Sequence, residues 1–396
     1  MREDDISGSI PPRIKIRGIL ETVMKITIDA RLYGLENAGL GRYVMKLIEH
    51  LGRIDRRNKY AVLLRKKYFD ELKLPPNWTK VLADFRHYSF TEQVKLPKIL
   101  TQTFPDLVHF PHFNIPISYA GKFVVTIHDM LMHRMKGQAT TTLSLPAFLI
   151  KRFGYKYVFK KAVKDSLRII VPSNFVKREL ADFYQVDIGK ISVTYEGVEL
   201  PMVASSNVLE KYGIKEKYFI YAGNAYPHKN LERLVKAIVR LNENHNLKVA
   251  LLIASSRSVF SEKLEKLVSK IGANKQVKLL GFVPDNDLFT LYKNSVGFVF
   301  PSISEGFGLP GLEAMAAGTL AIVSDIPVFK EIYKENAKYF NPFDFSSLEK
   351  TLWEILNMPR EMREENIQNG QKFVSRYSWE KMARETLSVY KEAIKQ

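Results

Sequence analysis

Residues 301–318, PSISEGFGLPGLEAMAAG, hold the densest chemistry in the chain. They follow the apolar run Val296-Gly-Phe-Val-Phe300, which reads as a buried strand. Gly306 and Gly308 let the backbone approach a ligand closely. Pro310 suits the opening of a helix and Gly318 its exit. A glycine turn that delivers amides, followed by the positive end of a helix, binds anions. Glu313 is expected in the first turn of that helix and Glu305 on the other side of the loop. A carboxylate beside a phosphate is unfavourable unless it accepts hydrogen bonds from neutral donors. The pair therefore suits a nucleotide sugar, with one carboxylate for the ribose and one for the hexose. The plain alternative is a turn followed by a favourably charged helix start.

Further segments carry reactive residue types. In YAGNAYPHKNLERL, 221–234, a strand is expected to end at Ala222 and a helix to open near Asn230. His228 and Lys229 then stand at a helix N-terminus, where positive charge opposes the dipole unless an anion lies between. In GKFVVTIHDM, 121–130, His128 and Asp129 follow a buried strand, and ligands of parallel sheets collect at such ends. NAGLGRYVMKLIEHL, 37–51, opens a helix with Gly39 and Gly41, a weak signal alone. His109 and His112 lack a third ligand and the spacing of one helical face, so no metal is expected there. Asp285-Asn286-Asp287 reads as a helix N-cap rather than a metal site.

Positioning these residues takes alternating strands and helices, hence parallel sheets covered on both faces. Strands are expected near 25–29, 60–64, 107–110, 123–127, 168–171 and 191–194. A second set is expected near 218–222, 248–253, 277–280, 297–300, 319–323 and 338–340. Helices are expected near 41–52, 148–164, 174–184, 230–244, 261–270, 285–294, 310–317, 346–356 and 360–376. The 396 residues suit two such domains. We divide the chain into an extension at 1–23, a first domain at 24–199, a second at 200–376 and a terminal helix at 377–396. The boundary is expected near 197–210, where Gly197, Pro201 and small polar residues make linker chemistry. Cysteine is absent, which excludes disulfide and thiolate chemistry. No apolar run spans a membrane and no secretory signal is visible, so a cytoplasmic location is expected. The formal net charge of +18 fits nucleic acid, an anionic membrane or phosphorylated substrates. Arg152, Lys156, Lys160 and Lys164, four apart, form a basic stripe beside Leu149, Phe153 and Tyr157. That helix suits an anionic membrane face and a solvated surface equally.

Glu305 and Glu313, with seven residues between them in EGFGLPGLE, resemble the E-x7-E signature of retaining glycosyltransferases of the GT-B fold, in particular glycosyltransferase family 4. The resemblance runs over nearly the whole chain from Met24. It implies two Rossmann-like, doubly wound α/β domains facing a central cleft. It also implies a donor held by the second domain, an acceptor on the first, and a terminal helix crossing back onto the first. By resemblance Lys229 binds the donor diphosphate, His128 reaches the donor sugar, and Gly41 approaches the phosphates. Val283 meets the base through its backbone. Gly306, Phe307, Gly308 and Leu309 cradle the donor. Asn224 occupies a donor position where an arginine is frequent; Arg257 is the candidate substitute. Glu196 stands where asparagine is frequent and receives no role. The implied reaction moves a hexose, mannose first, from a nucleotide diphosphate sugar to a glycan or lipid-linked saccharide. It involves neither a metal nor a cofactor. A nucleotide-sugar epimerase or hydrolase of the same fold is the alternative enzyme. A basic nucleic-acid-binding protein is the alternative of another class, but no recognition module for nucleic acid is present.

Overall fold

The computed structural model describes residues 23–134, 145–199 and 207–395. Most of the expected extension and the middle of the expected linker, 200–206, lie outside the described residues. The first sheet contains β1 (Lys25–Asp29), β2 (Lys59–Leu64), β3 (Trp78–Leu82), β4 (Leu107–Phe110), β5 (Phe123–Thr126), β6 (Arg168–Val171) and β7 (Ile191–Val193). All pairs are parallel, in the order β3-β2-β1-β4-β5-β6-β7. β4 and β5 are buried along their whole length, as strands covered on both faces must be.

The second sheet contains β8 (Tyr218–Ala222), β9 (Ala250–Ala254), β10 (Val277–Gly281), β11 (Gly297–Phe300), β12 (Ala321–Ser324) and β13 (Lys338–Phe340). Its order is β10-β9-β8-β11-β12-β13, again all parallel. In each sheet the order reverses beside its first strand, between β1 and β4 and between β8 and β11. Neighbouring connections there leave to opposite faces, and a crevice opens beyond the carboxyl ends.

The terminal helix Trp379–Ile394 buries Trp379, Met382, Val389 and Tyr390 and packs on the helix Ala38–Ile54 of the first domain. Tyr390 Oη lies 2.6 Å from His109 Nδ1, and Thr126 Oγ1 lies 2.8 Å from His109 Nε2. His109 is thus a buried anchor for the crossing helix. The seam between the domains is polar and specific. Glu331 of the second domain accepts the N–H groups of Asn174 and Phe175 at 2.6 and 2.7 Å, at the positive end of the helix Asn174–Tyr184. Ser173 caps that helix and donates its hydroxyl to the Gly306 carbonyl at 2.7 Å. Among the described residues no helix is long and apolar enough to cross a membrane.

Three elements of five or more residues were not anticipated. β3 is an edge strand in which only Trp78 is buried, without a clean apolar period. The helix Phe90–Gln102 carries Pro97 inside and is held by its Ser89 cap. The helix Pro327–Tyr333 is too short to show a period. Two expectations are corrected. The helix Asp285–Lys293 is preceded by Pro284, so Asp285 is its first residue and not its cap. The helix Leu309–Ala316 starts before Pro310, which moves Glu313 into its second turn.

Candidate active site

The carboxyl ends of the two sheets meet across a cleft of about 790 Å³. From the second sheet come the loops after β8, β9, β10 and β11; from the first come the loop after β1 and the residues that follow β5. Asn224, Lys229, Val283, Glu305, Gly306, Phe307, Gly308, Leu309, Glu313 and His128 all line it. Gly41 does not. It is buried in the helix Ala38–Ile54, where a Cβ would stand 1.8 Å from the Gly34 carbonyl oxygen, and Gly39 faces the cleft instead.

The turn 305–309 is built from close approaches. A Cβ at Gly306 would sit 1.8 Å from the carbonyl oxygen of His128, so only glycine lets the domains close at this point. Gly308 has φ +117° and caps the helix Leu309–Ala316, and Tyr333 donates its hydroxyl to the Gly308 carbonyl. The start of this helix, Gly308 to Pro310, lines the cleft together with Lys229. Lys229 Nζ lies 2.5 Å from Glu305 Oε1 and 5.4 Å from the centre of the Phe300 ring. Asn230, at φ +59°, donates its side-chain amide to the carbonyls of Pro301 and Pro342 and so fixes the lysine turn on the strand end. His228 is buried; burial and then the charge of Lys229 push its imidazole down to about 4, which keeps it neutral beside the lysine.

Glu313 meets an unanticipated partner. Arg42, from the first domain, reaches Glu313 at 3.3 Å and Asp285 at 2.8 Å, tying the domains across the cleft. Burial pushes the Glu313 carboxyl up to about 7, against the opposing pull of Arg42. Burial works against the Arg42 charge, but Glu313 and Asp285 outweigh it and hold the guanidinium above its ordinary range. Asp287 faces Lys211 at 2.6 Å and the Tyr212 hydroxyl at 3.0 Å, so the two aspartates of the D-x-D triplet serve different partners. Arg257 lies at the rim, largely exposed, 3.7 Å from Glu262.

His128 packs edge-on against Tyr43, with ring centres 4.7 Å apart. Its Nε2 lies 3.0 Å from the Pro111 carbonyl and its Nδ1 3.4 Å from the Glu196 carboxylate. Glu196 is thus a neighbour of the site histidine. Its signal was its departure from the usual asparagine. Arg42 lay inside a motif noted for its glycines, and only the fold shows that it reaches residues 243 positions away.

A model of the Glycosyltransferase Family 4 domain matches residues 38–200, and one of Glycosyl transferases group 1 matches residues 206–373. The chain is 32% identical over 276 residues to the O-antigen chain mannosyltransferase RfbU of Salmonella typhimurium, covering 70% of each chain. It is 27% identical to the O-antigen chain mannosyltransferase B of Escherichia coli, over 66% of this chain and 72% of that one. In fold it resembles sucrose-phosphate synthase from Thermosynechococcus elongatus, with TM-score 0.74 at 19% identity over 93% of this chain and 98% of that one.

Proposed function

Because the chain belongs to the family 4 glycosyltransferases of the GT-B fold and is a hexosyltransferase, we propose that it moves mannose from a nucleotide diphosphate sugar to a glycan or lipid-linked saccharide. The transfer proceeds with retention and without a metal. The observation that carries this is the meeting of Lys229 with the 305–309 turn in one cleft. In the proposed complex the diphosphate takes Lys229 from Glu305 and sits on the amides of Gly306 to Leu309. Glu305, released, accepts hydroxyls of the hexose, while Glu313 accepts those of the ribose. His128 stands at the sugar. The bond from the anomeric carbon to the diphosphate breaks, and the acceptor oxygen attacks on the same face. The proton of the attacking hydroxyl passes to the departing diphosphate. The protein contributes position and a preorganised positive field. The engagement of Asp285 and Asp287 with basic side chains supports the metal-free reading.

Mannose is the first choice of hexose because the O-antigen relatives are named mannosyltransferases. We also propose that the enzyme works in the cytoplasm at the inner membrane face. The helix Leu145–Asp165 supports this: Lys156, Lys160 and Lys164 are exposed, with Arg152 partly so, and Ile150 and Phe153 beside them are each 75% exposed. The test of the reaction is incubation with GDP-mannose and UDP-glucose in the presence of EDTA, with the anomeric configuration of the product read by NMR. Transfer with unchanged configuration is expected; an inverted product or loss of activity with EDTA contradicts the reading.

A further inference from the structure

The segment 303–306 is tied down from both domains. Within the second, Ile303 donates its N–H to the His228 carbonyl at 2.9 Å. From the first, Ser173 donates to the Gly306 carbonyl at 2.7 Å, and Arg134 Nη1 donates to Ser304 Oγ at 2.7 Å. Ser304 is buried at the edge of the cleft and directly precedes Glu305, the carboxylate assigned to the hexose. Arg134 has no part in the proposed transfer, yet it reaches across the seam to the neighbour of that carboxylate.

Arg134 ends the short helix Leu131–Arg134, and its side chain is fixed before it reaches Ser304. Its Nε and Nη2 donate to the two carboxylate oxygens of Glu179. The planar guanidinium fork makes such a two-point pair and still has Nη1 to offer; a lysine ammonium has no such geometry. The guanidinium carbon also lies 4.9 Å from the centre of the Phe175 ring. Phe175 and Glu179 stand four apart on the helix Asn174–Tyr184, hence on one face of it. The first amides of this same helix are accepted by Glu331, and its cap Ser173 reaches Gly306. One helix of the first domain is therefore anchored to the second at its N-terminus and, through Arg134, at Ser304. An enclosed ion pair adds little net stability. What the Arg134–Glu179 pair supplies here is a fixed direction for the remaining nitrogen.

We propose that Arg134 is a positioning residue for the transfer: through Ser304 it sets the Glu305 carboxylate in the place from which it meets the hexose. This role rests on the nucleotide-sugar reading. Arg134 does not touch the diphosphate, which sits on Lys229 and on the amides that follow Glu305. Its loss therefore leaves nucleoside diphosphate affinity in place and weakens the part of donor binding that belongs to the sugar. Loss of the Ser304 hydroxyl does the same, because the two residues act as one unit.

The test is titration calorimetry of the full chain with GDP-mannose against GDP and UDP-glucose against UDP. Wild type, Arg134→Ala, Ser304→Ala and the double variant are compared. The readout is the ratio of nucleotide-sugar to diphosphate affinity, which a general loosening of the fold does not move. In Arg134→Ala the ratio falls by about tenfold, the scale of one hydrogen bond to a charged group, while diphosphate affinity stays within about twofold. Ser304→Ala removes one hydroxyl and leaves the Arg134–Glu179 pair intact, so it carries the test even where Arg134→Ala does not fold; its ratio falls by a similar factor. The double variant is no worse than Arg134→Ala alone. Three results overturn the role: an unchanged ratio in Ser304→Ala, losses that multiply in the double variant, or diphosphate affinity that falls in step with that of the nucleotide sugar. A wild type that binds neither GDP nor UDP removes the nucleotide-sugar reading itself, a distinguishable failure.

Discussion

The two sheets wind in the same order about their first strands, yet their cleft-facing ends are furnished differently. The second domain offers backbone: a glycine turn, the amides of a helix start, and one lysine held by one glutamate. The first offers side chains from the start of a helix and from two loops, namely Arg42, His128, Asp129 and Glu196. On the proposed function, the contrast follows from what each wall would bind. A diphosphate has the same charge and shape in every donor, and fixed amides with one cation suffice for it. Hydroxyls of a particular saccharide point in particular directions, and each needs its own aimed acceptor. On that reading the backbone wall serves any nucleotide diphosphate sugar, and the side-chain wall carries the selectivity.

Four substitutions would break or sharpen this contrast. Lys229→Ala should have the largest effect, lowering turnover by about 1000-fold through loss of charge stabilisation. The melting temperature should move by no more than about 5 °C, because Glu305 still reaches the water of the cleft. Unchanged steady-state turnover would remove the lysine from the phosphate site. Glu305→Ala should lower transfer by about 100-fold, while calorimetry shows nucleoside diphosphate affinity retained. A variant that transfers normally would show that the hexose does not use this carboxylate. Arg42→Ala should raise the donor KM by about tenfold, on the scale of a lost charge-assisted bond. It should also enlarge the radius of gyration in small-angle scattering. An unchanged radius would mean that the cross-cleft tie does not hold the domains.

Glu313→Gln should have the smallest effect, and one that depends on pH. The folded carboxyl titrates near 7, above the ordinary glutamate range, so the folded state binds its proton more tightly than the unfolded chain. That contribution to stability is complete below the ordinary range and is lost as pH rises through about 7. At pH 8 the wild type must ionise an enclosed carboxylate, and the glutamine variant need not. Its melting temperature should therefore exceed the wild type's by a few degrees at pH 8 and match it at pH 5. A gain that is equal at both values would contradict the assignment.

The second domain's wall of the cleft was legible because its pattern is local. Glu305, Gly306, Gly308 and Pro310 lie within one short segment, and their backbone preferences describe the turn without knowledge of the fold. Lys229 was legible because a cation at a helix start calls for an explanation. The other wall depends on tertiary distance. Arg42 meets Asp285 only because the two sheets face each other, and no local pattern encodes that contact. Arg134 likewise meets Ser304 across the seam, 170 positions away. Gly41 drew attention as a close-approach glycine. It is one, but the backbone it approaches is that of Gly34.

The central claim is that a diphosphate docks between Lys229 and the amides of the 305–309 turn. Titration calorimetry of the wild type and Lys229→Ala with GDP, UDP and the matching nucleosides tests it most directly. The account predicts a wild type that prefers the diphosphate over its nucleoside by about 100-fold or more, in keeping with charge-assisted contacts, and a variant that has lost most of that preference. Equal affinity for diphosphate and nucleoside in the wild type, or a preference that survives in the variant, would contradict it.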